Sequence, residues 1–158
     1  MKQVYCSNEA ETEHLGRVIG SLLQDGDVIC LSGDLGAGKT VFARGIAKAL
    51  GADENEISSP TFAIMNVYQG KNEEIRHFDL FRLNSPNELN DIGFNEYVGG
   101  YGITIIEWAD LFPEELPEEY LSVMINVQGT GRIVSLEYYG AYYEMLLEKV
   151  NNNADTSY

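Results

Sequence analysis

Apolar residues recur at helical spacing through Leu15, Val18, Ile19, Leu22 and Leu23, and Asn8 with Glu11 has the form of a capping box. Together they predict a helix over residues 9 to 24, closed by Gly26. Val28-Ile29-Cys30-Leu31 is apolar throughout, as a strand covered on both faces must be. It runs into a glycine-rich segment, after which a helix is expected from Lys39 to Leu50, with Gly51 as its stop. Two β-like runs, Phe62 to Tyr68 and Ile75 to Leu83, are separated by Gln69-Gly70-Lys71-Asn72-Glu73 and predict an antiparallel hairpin. Residues 86 to 98 read as short helix before the Gly99-Gly100 turn. Ile103-Thr104-Ile105-Ile106 is another buried strand, ending at Glu107-Trp108. Beyond an acidic loop punctuated by Pro113 and Pro117, alternating runs from Leu121 to Val127 and Ile133 to Tyr139 flank the turn Gly129-Thr130-Gly131. An amphipathic helix from Ala141 to Val150 precedes a polar tail.

Composition narrows this picture. The 158 residues fit one domain over 1–150, with 151–158 as a frayed, disordered tail. No apolar run approaches the ~18 to 20 residues that span a bilayer. Met1 to Cys6 has neither the apolar stretch nor the cleavage site of a secretory signal, so a cytoplasmic location without membrane attachment is expected. Cys6 and Cys30 offer no framework of bridges, and Cys30 reads as a small core residue. The net charge of −15 repels phosphate over most of the surface. Direct binding to RNA or DNA is therefore not expected, and any nucleic-acid connection would run through a partner protein. The same acidity serves solubility or a basic protein partner.

The chemistry lies in Gly33-Asp34-Leu35-Gly36-Ala37-Gly38-Lys39-Thr40, with Val41 following. Its glycines allow close backbone approach to an anion, and the next helix adds its positive N-terminal end. Lys39 supplies a point charge for β- and γ-phosphates, and the Thr40 hydroxyl suits magnesium. Chance produces such a match in well under ~1% of chains this long, given glycine at ~7% of residues. A strand before it and a helix after it supply the setting that the motif needs. The expected fold is therefore α/β, a P-loop NTPase-like three-layer sandwich with a mixed, partly antiparallel central sheet.

Such a site needs an acid facing the loop. Glu107 ends an apolar strand, where a magnesium-linked acid belongs, although it could merely begin the following loop. Asp79 interrupts His77-Phe78-Asp79-Leu80-Phe81, where a charge needs a metal or a partner; a capping role or a pair with Arg76 or Arg82 is the plainer alternative. Ser59 or Thr61, in Ser58-Ser59-Pro60-Thr61, could sense the γ-phosphate as a switch, or form an ordinary Ser-Pro turn. Trp108 is either an aromatic wall of the site or core. His14 and His77, without metal-ligand spacing, read as structural.

Taken together, Gly33 to Thr40 with Val41 to Gly45, Ser59-Pro60-Thr61-Phe62, His77-Phe78-Asp79-Leu80-Phe81-Arg82-Leu83, Leu89 to Gly93, Ile106-Glu107-Trp108 and Gly131-Arg132 resemble the TsaE (YjeE) family. These are small ATPases of bacterial tRNA threonylcarbamoyladenosine (t6A) modification. The resemblance covers residues 6 to 150 and implies ATP and Mg2+ as ligands. It assigns phosphate and magnesium to Lys39 and Thr40, the magnesium-linked acid to Glu107, a role in turnover to Asp79, and the switch to residues 59–62 beside Trp108. It puts Glu9, Thr12 and Arg132 against base and ribose, and implies a TsaB–TsaD complex as partner. Phe81 stands where tyrosine is usual and Ala109 where proline is usual; neither is a phosphate or magnesium ligand. A small-molecule kinase and a nucleotide-gated binding module are the competing readings, and the scattered arginines speak against the kinase's arginine-rich lid.

Overall fold

The computed structural model describes residues 2–34, 36–57 and 64–154. Among these described residues, seven strands form one sheet in the order β1-β7-β6-β2-β5-β4-β3. They are β1 (Lys2–Cys6), β2 (Val28–Gly33), β3 (Met65–Gln69), β4 (Glu74–Asp79), β5 (Ile103–Glu107), β6 (Tyr120–Gln128) and β7 (Gly131–Tyr139). The central strands β6, β2, β5 and β4 are parallel, whereas β1–β7, β7–β6 and β3–β4 pair antiparallel. The sheet is thus mixed with antiparallel margins, as expected. The helices are α1 (Glu9–Gly20), α2 (Lys39–Ala49), α3 (Asn87–Asp91), α4 (Phe94–Tyr97) and α5 (Ala141–Ala154).

Alternation along the buried strands sorts the core into two layers. Ile29, Leu31, Ile103 and Ile105 face Leu15 and Ile19 of α1, Phe42 and Ile46 of α2, and Leu146 and Val150 of α5. Val28, Cys30, Phe78 and Ile106 face the other way, against Leu89 of α3 and Phe94 of α4. Both cysteines are buried thiols without a bridge.

Helix α1 ends at Gly20, earlier than its apolar spacing predicts, because Ser21 caps it and Gly26, at φ +95°, belongs to the turn into β2. Asn8 Oδ1 accepts from Glu11 N–H at 2.9 Å, but Glu11 returns its bond to Ser7 N–H rather than to Asn8. Strand β4 stops at Asp79, short of the expected Leu83, because the Asp79 carboxylate caps a 3-10 turn over Leu80–Arg82. The 86–98 helix splits in two at Gly93, which takes φ +75°. Helix α5 continues to Ala154, past the expected Val150. Strand β1 was not expected, and pairs with β7 at the sheet's edge.

Helices α1 and α2 meet backbone to backbone. A Cβ on Gly45 would lie 2.2 Å from Glu13 O, and one on Gly16 would lie 2.4 Å from Phe42 O. This contact sets the position of α2, and therefore of the loop that precedes it.

Helix α5 is tied to the entry of β2. The Tyr143 hydroxyl accepts from Val28 N–H at 2.9 Å, and the Tyr142 hydroxyl donates to Asp27 Oδ2 at 2.9 Å. Gln24 N–H also donates to Asp27 Oδ2, at 2.8 Å. Burial holds the Asp27 carboxyl above its ordinary value, and the two hydrogen bonds only partly oppose this. The folded state then keeps the Asp27 proton more tightly than the unfolded state does. The contribution to stability is full below the ordinary value of 3.8 and is lost as pH rises through the raised one. Asp27→Asn keeps an acceptor for both donors and carries no charge. Its urea midpoint should exceed that of the wild type near pH 7, with the gap closing at about pH 3. A midpoint no higher than wild type near pH 7 would show that the buried charge costs nothing.

Candidate nucleotide site

Strands β2, β5 and β4 run in the same direction, so their carboxyl ends open on one edge of the sheet. Leu31 lies in register with Glu107, and Glu107 in register with Asp79. The glycine loop therefore leaves the sheet beside both acids named from the sequence. Gly33 takes φ +136°, and a Cβ there would meet Ile125 O at 2.1 Å, so only glycine fits. Gly38, at φ +106°, is the N-cap of α2 and carries no capping side chain. The first turn of α2 holds no acid either, which leaves its positive end open to an anion.

Lys39 is only 5% exposed. Its ammonium donates to Gly33 O at 2.7 Å and Asp34 O at 2.8 Å, and lies 3.8 Å from the centroid of the Trp108 ring. Burial lowers its pKa from the ordinary lysine value, while Glu107, Asp110, Asp79 and Asp34 pull it back up. One cation is thus set among four carboxylates, and a triphosphate entering without a divalent counter-ion would meet net repulsion. Thr40 follows as the second residue of α2. Oxygen donors from Thr40, Glu107 and Asp79 are the hard type that magnesium takes. Among the described residues no three His, Cys, Asp or Glu side chains form a metal cluster. Magnesium would draw its remaining ligands from phosphate and water.

Trp108 has φ +60°, the only positive φ among the described non-glycine residues. That conformation costs ~1 to 2 kcal/mol for an L-residue and turns the indole toward Lys39. Phe81 stacks against it at 4.8 Å, 35° from coplanar. Asp79 Oδ1 accepts from Phe81 N–H at 3.0 Å, so Asp79 caps the turn that presents Phe81.

A cleft on the other side of the loop is bordered by Glu9, Thr12, Gly36, Gly38, Val41 and Arg132. Ala37, also along it, is buried. Arg132 reaches from β7 to donate through Nε to Ala37 O at 2.9 Å and through Nη2 to Gly36 O at 3.4 Å. It braces the loop as well as lining the cleft. Leu35, Ser59 and Thr61 lie outside the described residues. Asn8 and Thr130 border the cleft too, although nothing in their spacing suggested it. The larger omission is His77: its Nε2 meets Glu107 Oε2 inside the sheet, so a residue read as structural touches a candidate acid.

The family model described as "Threonylcarbamoyl adenosine biosynthesis protein TsaE" matches residues 6–134. The chain belongs to the TsaE family. It is 36% identical over 151 residues to the tRNA threonylcarbamoyladenosine biosynthesis protein TsaE of Bacillus subtilis, spanning 95% of this chain and 94% of that protein. It is 42% identical over 121 residues to the TsaE protein of Treponema pallidum, spanning 77% of this chain and 88% of the relative. The crystal structure of Bacillus subtilis YdiB superposes with a TM-score of 0.78 at 32% identity, covering 96% of this chain and 95% of that one. The α/β, P-loop-like architecture of this TsaE-family chain thus agrees with that solved structure. Among its described residues no helix is long and apolar enough to cross a membrane.

Proposed function

We propose that the chain is a magnesium-dependent ATPase that supports t6A modification of tRNA by binding and resetting a TsaB–TsaD complex. The observation that carries this reading is the convergence of Lys39 with Asp79 and Glu107 where the glycine loop leaves the sheet. The names of its relatives support the connection to tRNA threonylcarbamoyladenosine.

In this reading the loop amides and Lys39 bind the β- and γ-phosphates, and the cleft beside Glu9, Thr12 and Arg132 takes base and ribose. Thr40 and Glu107 would hold magnesium, which neutralises phosphate charge in the transition state. Asp79, rigid through its bond to Phe81, and Glu107 are the groups able to orient an attacking water.

No arginine is at hand for the transferring phosphate among the described side chains. Arg132 is engaged by loop carbonyls, and Arg76 is paired with Glu74 at 2.8 Å and packed on Tyr97. Supplied arginine fingers are worth ~10³ to 10⁵ in rate, so hydrolysis should be slow alone and at least ~10-fold faster with the TsaB–TsaD pair. Phosphate release measured with and without the pair, alongside multiple-round tRNA modification, tests this. A rate unmoved by the pair, or modification over many rounds without ATP, would refute it.

The binding-module reading, in which hydrolysis only times release, gains weight from Lys39 resting on the loop's own carbonyls. It requires repeated modification by a chain that binds ATP but does not cleave it.

A further inference from the structure

Tyr68, His77 and Glu107 form a continuous hydrogen-bonded chain across three strands. The Tyr68 hydroxyl lies 3.1 Å from His77 Nδ1, and His77 Nε2 contacts Glu107 Oε2. His77 is in register with Asn66 on β3 and with Ile105 on β5, so Tyr68 and Glu107 are its diagonal neighbours on either side. All three are closed to solvent, at 2%, 0% and 2% exposure.

Donor and acceptor roles follow from the partners. A carboxylate accepts, so His77 Nε2 is the donor toward Glu107, and the Tyr68 hydroxyl can pair with Nδ1 as donor or acceptor. The chain is satisfied at every link.

We infer that His77 is a positioning residue: braced by Tyr68, it fixes the Glu107 carboxylate in the orientation that receives magnesium. The inference rests on the magnesium-nucleotide reading of the site, and gives a role to two residues outside its phosphate-binding parts. The tether engages Oε2 of the Glu107 carboxylate. A carboxylate so buried has few other ways to keep a single rotamer, because water cannot hold it there. Partners of this kind behind a metal-binding carboxylate are worth about 10- to 100-fold in metal affinity or activity.

Three variants of the full chain test the role. His77→Leu removes both bonds at similar volume, His77→Gln returns an amide donor toward Glu107, and Tyr68→Phe removes one hydroxyl while keeping the ring. The first readout is equilibrium binding of a fluorescent ATP analogue with and without Mg2+. The second is the half-saturating Mg2+ concentration for that binding, and the third is phosphate release.

His77→Leu should keep metal-free nucleotide affinity within about threefold and raise half-saturating Mg2+ by at least ~10-fold. His77→Gln should recover most of that loss, and Tyr68→Phe should shift it about threefold. If His77→Leu does not fold, Tyr68→Phe carries the comparison. An unchanged Mg2+ requirement in folded His77→Leu, or in Tyr68→Phe where His77→Leu does not fold, overturns the proposal, as does wild-type binding that ignores Mg2+. A wild type that binds Mg2+-ATP but releases no phosphate instead defeats the ATPase reading and leaves His77 assignable from the binding data.

Discussion

Lys39→Met is expected to bind Mg2+-ATP at least ~100-fold more weakly than the wild type. Hydrogen bonds to a charged group contribute about 1.5 to 3 kcal/mol each, so losing an ammonium shared by two phosphates removes roughly 3 kcal/mol, or two decades of affinity. Methionine keeps an apolar stem against the Trp108 ring, so the loss reports charge rather than collapse of the loop. The surroundings push the same way. With Lys39 neutral, Asp34, Asp79, Glu107 and Asp110 face the incoming phosphates unopposed by the cation they now surround. Raising Mg2+ should therefore recover only part of the affinity. Equilibrium titration with a fluorescent ATP analogue decides the matter: an affinity within about threefold of wild type would mean that the loop does not grip phosphate through Lys39.

Gly45→Ala is expected to destabilise the protein by about 3 kcal/mol, although alanine is the better helix former by roughly 1 kcal/mol. The sign is decided by contact. The new Cβ would sit 2.2 Å from Glu13 O and 3.0 Å from Arg17 N, both backbone atoms that no rotamer change can move. Helices α1 and α2 must part, and residues Phe42, Ile46, Leu15 and Ile19 lose their close packing. At ~2 to 4 °C per kcal/mol for a chain of this size, the midpoint of thermal unfolding should fall by about 6 to 12 °C. A midpoint equal to or above wild type would show that the helices can separate without cost. Since α2 begins at Lys39, nucleotide affinity should fall in the same variant.

The parts of the fold that were legible in the sequence are those written in local pattern. Val28 to Leu31 and Ile103 to Ile106 are apolar at every or nearly every position because each is covered on both faces, and such runs can hardly be misread. The hairpin of β3 and β4 was announced by its glycine turn. The five residues of β1 carried too little alternation to stand out from a tail; only pairing with β7 makes them a strand. Asp79 ended β4 four residues early because a side-chain cap is a three-dimensional event, although aspartate before an apolar pair is a signal that could have suggested it. The site divides in the same way. Glycine spacing marked the loop that precedes α2, and an acid at a strand's end marked Glu107, which lies beside it. His77 escaped because its importance depends on β4 lying next to β5 in a particular register, and spacing along one chain cannot express that. Arg132 was reached only through family likeness. What joins it to the loop is a span from β7 to Ala37, 95 positions away in the chain.

Trp108 is the chain's one tryptophan, and its ring carries the Lys39 ammonium on its face. Whatever draws that charge toward a phosphate must also strip it from the indole. The protein therefore has a fluorophore built in beside the glycine loop, whose emission would track occupancy without any label. Because the group that rests on the ring is the one proposed to grip phosphate, the signal would follow that group's movement between the loop's carbonyls and an incoming anion.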